Sequence, residues 1–151
     1  MFVAKLNPKG QFIWAVQSGG PQDDYILDIG LNKSEELYIT GYFQKTTTFD
    51  STTKRTAVGS ADIFLAKMDS LGKFLWVKTM GTSNFDYGSG LAVGASGDVY
   101  VLGAFGGKLS FDNHSVTSKG DNDLFVAKFD ANGTAKWLIS AGSPLEEFSD
   151  T

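Results

Sequence analysis

An all-β fold made of propeller blades, each of four antiparallel strands, is the architecture that this sequence predicts. Three observations predict it. A phrase recurs as Phe2-Val-Ala-Lys5, Phe64-Leu-Ala-Lys67 and Phe125-Val-Ala-Lys128, at steps of 62 and 61 residues. Other positions keep the same step: Gly10, Gly72 and Gly133; Trp14, Trp76 and Trp137; Gly19, Gly81 and Gly142. Finally, each unit reads as short apolar strands between Gly- and Asp-bearing turns, with no helical periodicity. Such internal periods signal repeat architectures, and four short strands per unit signal a blade.

Within one unit the elements follow in order. Residues 64–68 are a strand, and Asp69-Ser-Leu-Gly72 is a turn with Gly where a positive φ is wanted. Residues 73–80 return antiparallel and carry Trp76, and 81–86 form a loop. Ser89-Gly-Leu-Ala-Val93 is a strand of small residues that suits the crowded propeller axis, as does Asp28-Ile-Gly-Leu31. A turn at 95–98 leads to a strand at 99–105, the second from the axis. The Phe-x-Ala-Lys strands come third and the Trp strands outermost. The long connection after 105 holds Lys108-Leu-Ser-Phe-Asp112, matched by Thr46-Thr-Thr-Phe-Asp50, and is read as an extra hairpin. This parses the chain into an outer half blade (2–18), full blades at 25–80 and 87–141, and the start of another at 142–151. About two and a half blades do not close a ring, so the expectation is a part of a larger propeller of roughly six to eight blades. The rest of the ring would come from the same protein or from other chains.

Composition narrows the function classes. The 151 residues are 42% hydrophobic and 13% aromatic, enough for a packed core. A net charge of −4 without a basic block offers nothing to a nucleic-acid backbone. No cysteine is present, which excludes disulfides, thiolate metal sites and thiol catalysis. No apolar run approaches the ~20 residues of a membrane helix. The opening Met1-Phe-Val-Ala-Lys5 does not read as a signal peptide.

The phrase Asp62-Ile-Phe-Leu-Ala-Lys67, followed by Gly72, Trp76, Gly81, Asp86-Tyr87, Gly97-Asp-Val-Tyr-Val101 and Gly103, resembles the SBBP or "beta-propeller repeat" family. That resemblance implies a propeller from a secreted or cell-surface bacterial protein, of the kind found in Bacteroidota, with no shared catalytic residues. It departs from the usual pattern at Asn84-Phe-Asp86, Pro144-Leu-Glu-Glu147 and Ser34-Glu-Glu36. It also implies O-glycosylation candidates, since Asp69-Ser-Leu71 and Asp50-Ser-Thr52 match an Asp-Ser/Thr-apolar motif at Ser70 and Ser51.

Candidate chemistry is sparse. Asp24, Asp86 and Glu147 recur between one blade's outer strand and the next blade's inner strand. Such carboxylates suit Ca²⁺, which takes roughly six to eight oxygens; their ordinary role is to bind backbone N–H groups and fix a turn. No catalytic residue, cofactor motif or other metal set stands out. His114, the single histidine, is expected in an exposed loop, and the three Trp in the contacts between blades. The function expected is a non-catalytic scaffold that binds protein or glycan at the cell surface through its loop face. The alternatives are a glycan hydrolase or lyase with its site at the propeller centre, for which Asp28 is the inner-strand oddity, or a docking subunit of a secretion or motility assembly.

Overall fold

Residues 1–144 are described here, from a computed structural model of the chain, and their regular structure is entirely β. A hairpin of β1 (Phe2–Leu6) and β2 (Phe12–Gln17) comes first. A four-stranded antiparallel sheet follows, built from β3 (Asp24–Leu31), β4 (Leu37–Phe43), β7 (Asp62–Met68) and β8 (Phe74–Met80), in that spatial order. Between β4 and β7 the chain forms a small hairpin, β5 (Thr46–Thr48) with β6 (Lys54–Thr56). The plan then repeats. β9 (Tyr87–Val93), β10 (Val99–Phe105), β13 (Asp123–Phe129) and β14 (Ala135–Ala141) make the second sheet, with β11 (Lys108–Phe111) and β12 (His114–Thr117) as its hairpin. The strand of small residues is thus at one edge of each sheet and the Trp strand at the other.

The turn residues explain the connections. In Asp69–Gly72 the Asp69 carboxylate accepts from Leu71 and Lys73 N–H groups at 2.9 Å, and Gly72 takes φ 84°. Asn7 with Gly10, and Asp130 with Gly133, build the same turn. A bulge follows the Lys of each Phe-x-Ala-Lys strand, after Lys5, Lys67 and Lys128, so it is part of the repeat. One turn departs from its counterpart: Glu35, at φ 58°, stands where the next sheet has Gly97.

The two sheets stack face to face. Tyr38, Ile63, Leu65 and Met80 of the first pack against Val99, Val101, Phe125 and Phe129 of the second in one buried cluster. A second cluster joins Val3 of the first hairpin to Ile39, Phe64, Ala66 and Val77. The inserted hairpins help fill these layers. Phe49 is fully buried and meets Phe43, Phe64 and Phe74 edge to face at 5.3–6.0 Å between centroids, and Phe111 meets Phe129 at 4.7 Å.

The inner edge is crowded, as its small residues require. A Cβ on Gly30 would lie 2.6 Å from Leu91 Cδ2, and one on Gly88 would lie 2.3 Å from Thr40 Oγ1. The outer edge is held by tryptophan. Trp14 Nε1 donates to the Ser70 carbonyl at 3.0 Å, and Trp76 Nε1 donates to that of Ala131 at 3.2 Å. Trp14 and Trp76 therefore latch onto the turn of the sheet beyond them. His114 is half-buried at the start of β12, opposite Phe111, and not in an open loop. The tight hairpin turn at Asp112, with φ 48°, draws it in.

Candidate functional site

Two kinds of connection end on the same side of the stack: the loops into β3 and β9, and the connections that leave β4 and β10. On this loop face stands a row of four aromatic rings. Tyr25 is the second residue of β3, Tyr42 is near the end of β4, Phe85 is in the loop before β9, and Tyr87 begins β9. Successive centroids are 5.3 Å apart from Tyr25 to Tyr42, 4.8 Å from Tyr42 to Phe85 and 6.2 Å from Phe85 to Tyr87. Tyr25 and Phe85 are exposed, while Tyr42 and Tyr87 are half-buried. Burial, then the neighbouring Tyr25 and Asp23, push the Tyr42 hydroxyl above the usual phenol range. Tyr42 can therefore donate a hydrogen bond across the ordinary pH range.

Beside Tyr25 the surface opens into a depression of about 720 Å³, lined by Gln17, Ser18, Gln22, Asp23, Asp24 and Thr48 among others. The site is thus apolar and aromatic on one side, polar and acidic on the other. That pairing is typical of surfaces which anchor a partner by rings and orient it by polar groups.

The carboxylates singled out in the sequence sit at the margin of this face. Asp24 accepts from Gly20 N–H at 2.7 Å, Thr47 Oγ1 at 2.6 Å and Gln44 N–H at 3.3 Å. Asp86 is fully buried and accepts from the Thr82 backbone and hydroxyl and from Gly106 N–H. Each carboxylate ties its own loop to the end of the neighbouring strand. Burial pushes the Asp86 carboxyl above the ordinary carboxylate value, against those hydrogen bonds, and does the same to Asp62, with the Asp86 charge adding to the rise. Among the described residues no group of three or more His, Cys, Asp or Glu converges as a metal site would require. Glu147 lies outside the described residues.

The other sequence candidates fall elsewhere. Ser51 is exposed in the turn of the β5–β6 hairpin. Ser70 is half-buried, and its carbonyl takes the Trp14 indole. Asp28 on the inner strand bridges the two sheets, with Oδ2 accepting from Leu91 N–H at 2.7 Å. Phe85 lies in the Asn84-Phe-Asp86 departure from the usual repeat pattern, whereas Tyr42 carries no motif of its own. The register offers one signal for them: they replace Ala104 and Asp23 at equivalent positions of the other units.

No protein-family model matches the chain. It is similar to the regulatory protein FlaEY of Caulobacter vibrioides, 31% identical over 93 residues that cover 59% of this chain and 10% of that protein. It is also similar to an uncharacterized WD repeat-containing protein of Acanthamoeba polyphaga mimivirus, 24% identical over an alignment covering 98% of this chain and 13% of that protein. The four-stranded sheets, their stacking and this likeness agree. The chain is built of propeller blades. It spans only 10% and 13% of the length of the curated relatives it matches.

Proposed function

We propose that this chain is part of a non-catalytic propeller scaffold that binds a partner protein through its loop face, on the row Tyr25, Tyr42, Phe85 and Tyr87. The row itself carries the reading. Phe85 and Tyr42 depart from the repeat toward large rings, and Phe85 with Tyr25 leaves an aromatic edge of the row open to solvent. Aromatic anchors beside acidic and amide groups make a protein-binding patch rather than a reaction centre. The likeness to a WD repeat-containing protein supports the same class of function. The SBBP-like phrasing of the repeat supports a cell-surface or secreted setting.

An enzyme reading needs accessible acid–base groups. Among the described residues, the two carboxyls that burial raises, Asp62 and Asp86, are sealed in blade junctions and hold backbone N–H groups. Asp28, the inner-strand acid, is engaged by the next blade.

The test is a photo-crosslinker placed at Gln22, beside the row, in the native host, followed by identification of the captured partner. Affinity for that partner is then measured with Tyr42→Ala and Phe85→Ala. Loss of a ring anchor costs about 2 kcal/mol, roughly 30-fold in Kd, with the melting temperature held. Unchanged affinity in both variants sinks the proposal. Binding to a glycan array that disappears in the same variants would move the partner class from protein to glycan.

A further inference from the structure

We propose, resting on the loop-face reading above, that the row receives a cationic side chain of the partner protein, a lysine or an arginine. It sits on the Tyr25, Tyr42 and Phe85 rings, with Asp23 as its counter-ion.

The molecule seats a cation of its own in this way twice. Lys67 Nζ lies 5.4 Å from the Tyr38 ring centroid and 2.8 Å from Glu36 Oε2, and Trp76 backs the Tyr38 ring at 6.1 Å between centroids. Lys128 Nζ lies 5.4 Å from the Tyr100 centroid and 2.9 Å from Asp98 Oδ2, and Trp137 backs the Tyr100 ring at 6.0 Å. Each seat has three parts: a tyrosine ring, a second ring against it, and a carboxylate within reach of the ammonium. These parts suit a cation, because a ring face is the negative end of the aromatic quadrupole and the carboxylate adds a full charge and an acceptor.

The loop face assembles the same parts. Tyr42 stands between Tyr25 and Phe85, at 5.3 and 4.8 Å between centroids and tilted 32° to one ring and 61° to the other. Tyr25 and Phe85 are exposed, so ring surface is open to an arriving group. Asp23 is exposed as well, and lies near enough to Tyr42 for its charge to act on that hydroxyl. Among the described residues no hydrogen bond or ion pair takes up the Asp23 side chain. Asp24, Asp62 and Asp86 on the same face are instead committed to backbone N–H groups. Tyr25 and Tyr42 belong to the first sheet and Phe85 to the loop into the second, so the three rings meet at a junction with a full blade on either side. A cation from a partner would supply the one part that the seats at Lys67 and Lys128 have and this one lacks. The net charge of −4 favours the approach of such a partner.

The test titrates the whole chain with capped peptides Gly-Ser-X-Ser-Gly, where X is arginine, lysine, citrulline or norleucine, and follows NMR shifts. Citrulline keeps the shape of arginine and most of its hydrogen bonds but not its charge. The arginine and lysine peptides should bind about five- to tenfold more tightly than the neutral pair, and should shift Asp23, Tyr25, Tyr42 and Phe85. The preference should shrink as salt rises, since Asp23 is exposed. Asp23→Asn should cut it to about twofold with the melting temperature held, and Tyr25→Leu, which keeps apolar bulk without a ring, should do the same. Charged and neutral peptides that bind alike overturn the proposal. So does a charge preference that survives the Asp23→Asn, Tyr25→Leu double variant, or no binding of either charged peptide up to about 10 mM. Neutral peptides that bind equally well, and are lost in Tyr42→Ala and Phe85→Ala, overturn the cationic ligand but leave the row a protein-binding surface. Shifts that map away from the row sink both readings.

Discussion

Lys67 shows why the Phe-x-Ala-Lys phrase recurs. Phe64 and Ala66 are buried on one face of β7, and Lys67 points to the other, where its ammonium lies 5.4 Å from the Tyr38 ring centroid and 2.8 Å from Glu36 Oε2. Lys128 repeats this over Tyr100, with Asp98 as its partner. Burial works against the Lys67 charge, yet Glu36 and Tyr38 beside it outweigh burial and hold its pKa above the ordinary 10.5. The hydrogen bonds from Lys67 and then Asn32 hold Glu36 below its ordinary 4.5. A carboxyl depressed by folding stabilises the native state above its unfolded pKa and loses that contribution as pH falls. A raised ammonium contributes below its unfolded pKa and loses that as pH rises through its folded value. The pair is therefore at full strength between about 4.5 and 10.5. Lys67→Met should cost about 1 kcal/mol at pH 7, and the ion-pair part of that difference should be smaller at pH 3 while the part from the Tyr38 ring remains. Urea unfolding of both proteins at the two pH values checks this.

At the scale of the element, the inner strands show the tightest constraint. β3 and β9 converge at the inner edge of the stack, and Gly88 faces Thr40 and Ile63 of the other sheet, with Val101 of its own sheet beside it. The Thr40 hydroxyl is buried and binds the Phe64 carbonyl at 2.8 Å, so it is not free to retreat. Gly88→Val should force the sheets apart and cost about 1–3 kcal/mol, read as a lower midpoint in chemical denaturation. Gly90 is the control. A Cβ there would have Leu102 Cβ as its nearest neighbour, at 3.6 Å, so Gly90→Ala should leave the midpoint within about 0.5 kcal/mol of wild type.

For the whole molecule, stability rests on blade-to-blade contacts, because a single four-stranded sheet leaves both of its apolar faces bare. Repeat proteins behave as units coupled to their neighbours, and the coupling is a separate quantity from the stability of each unit. Trp76 supplies coupling between the two full blades through its ring on Gly133 and its N–H on Ala131. Trp76→Ala should cost about 2–4 kcal/mol, given that the ring is half-buried. Thermal unfolding should also broaden, as the blades begin to melt separately. Trp76→Phe should recover most of the loss, because packing outweighs a single hydrogen bond of about 1 kcal/mol.

What the residues alone determine here is everything that repeats. Gly72 with Asp69, the Phe-x-Ala-Lys strands and the Trp strands each carry a local reason for their structure, and the step of about 61 residues stacks those reasons three times over. Strand order, turn type and the inserted hairpins were legible for that cause. The tertiary structure decided what does not repeat. Tyr42 and Phe85 are 43 residues apart and meet at 4.8 Å only because one blade lies on the next. Asp28, an oddity by itself, becomes a clamp once Leu91 N–H is brought to 2.7 Å. Phe49 reads as one ring in an otherwise polar hairpin until that hairpin folds back onto the Phe43, Phe64 and Phe74 rings. Periodicity encodes which face of a strand is apolar, and that is a local property. Which surface each face then meets depends on how the blades stack, and there the candidate site is made.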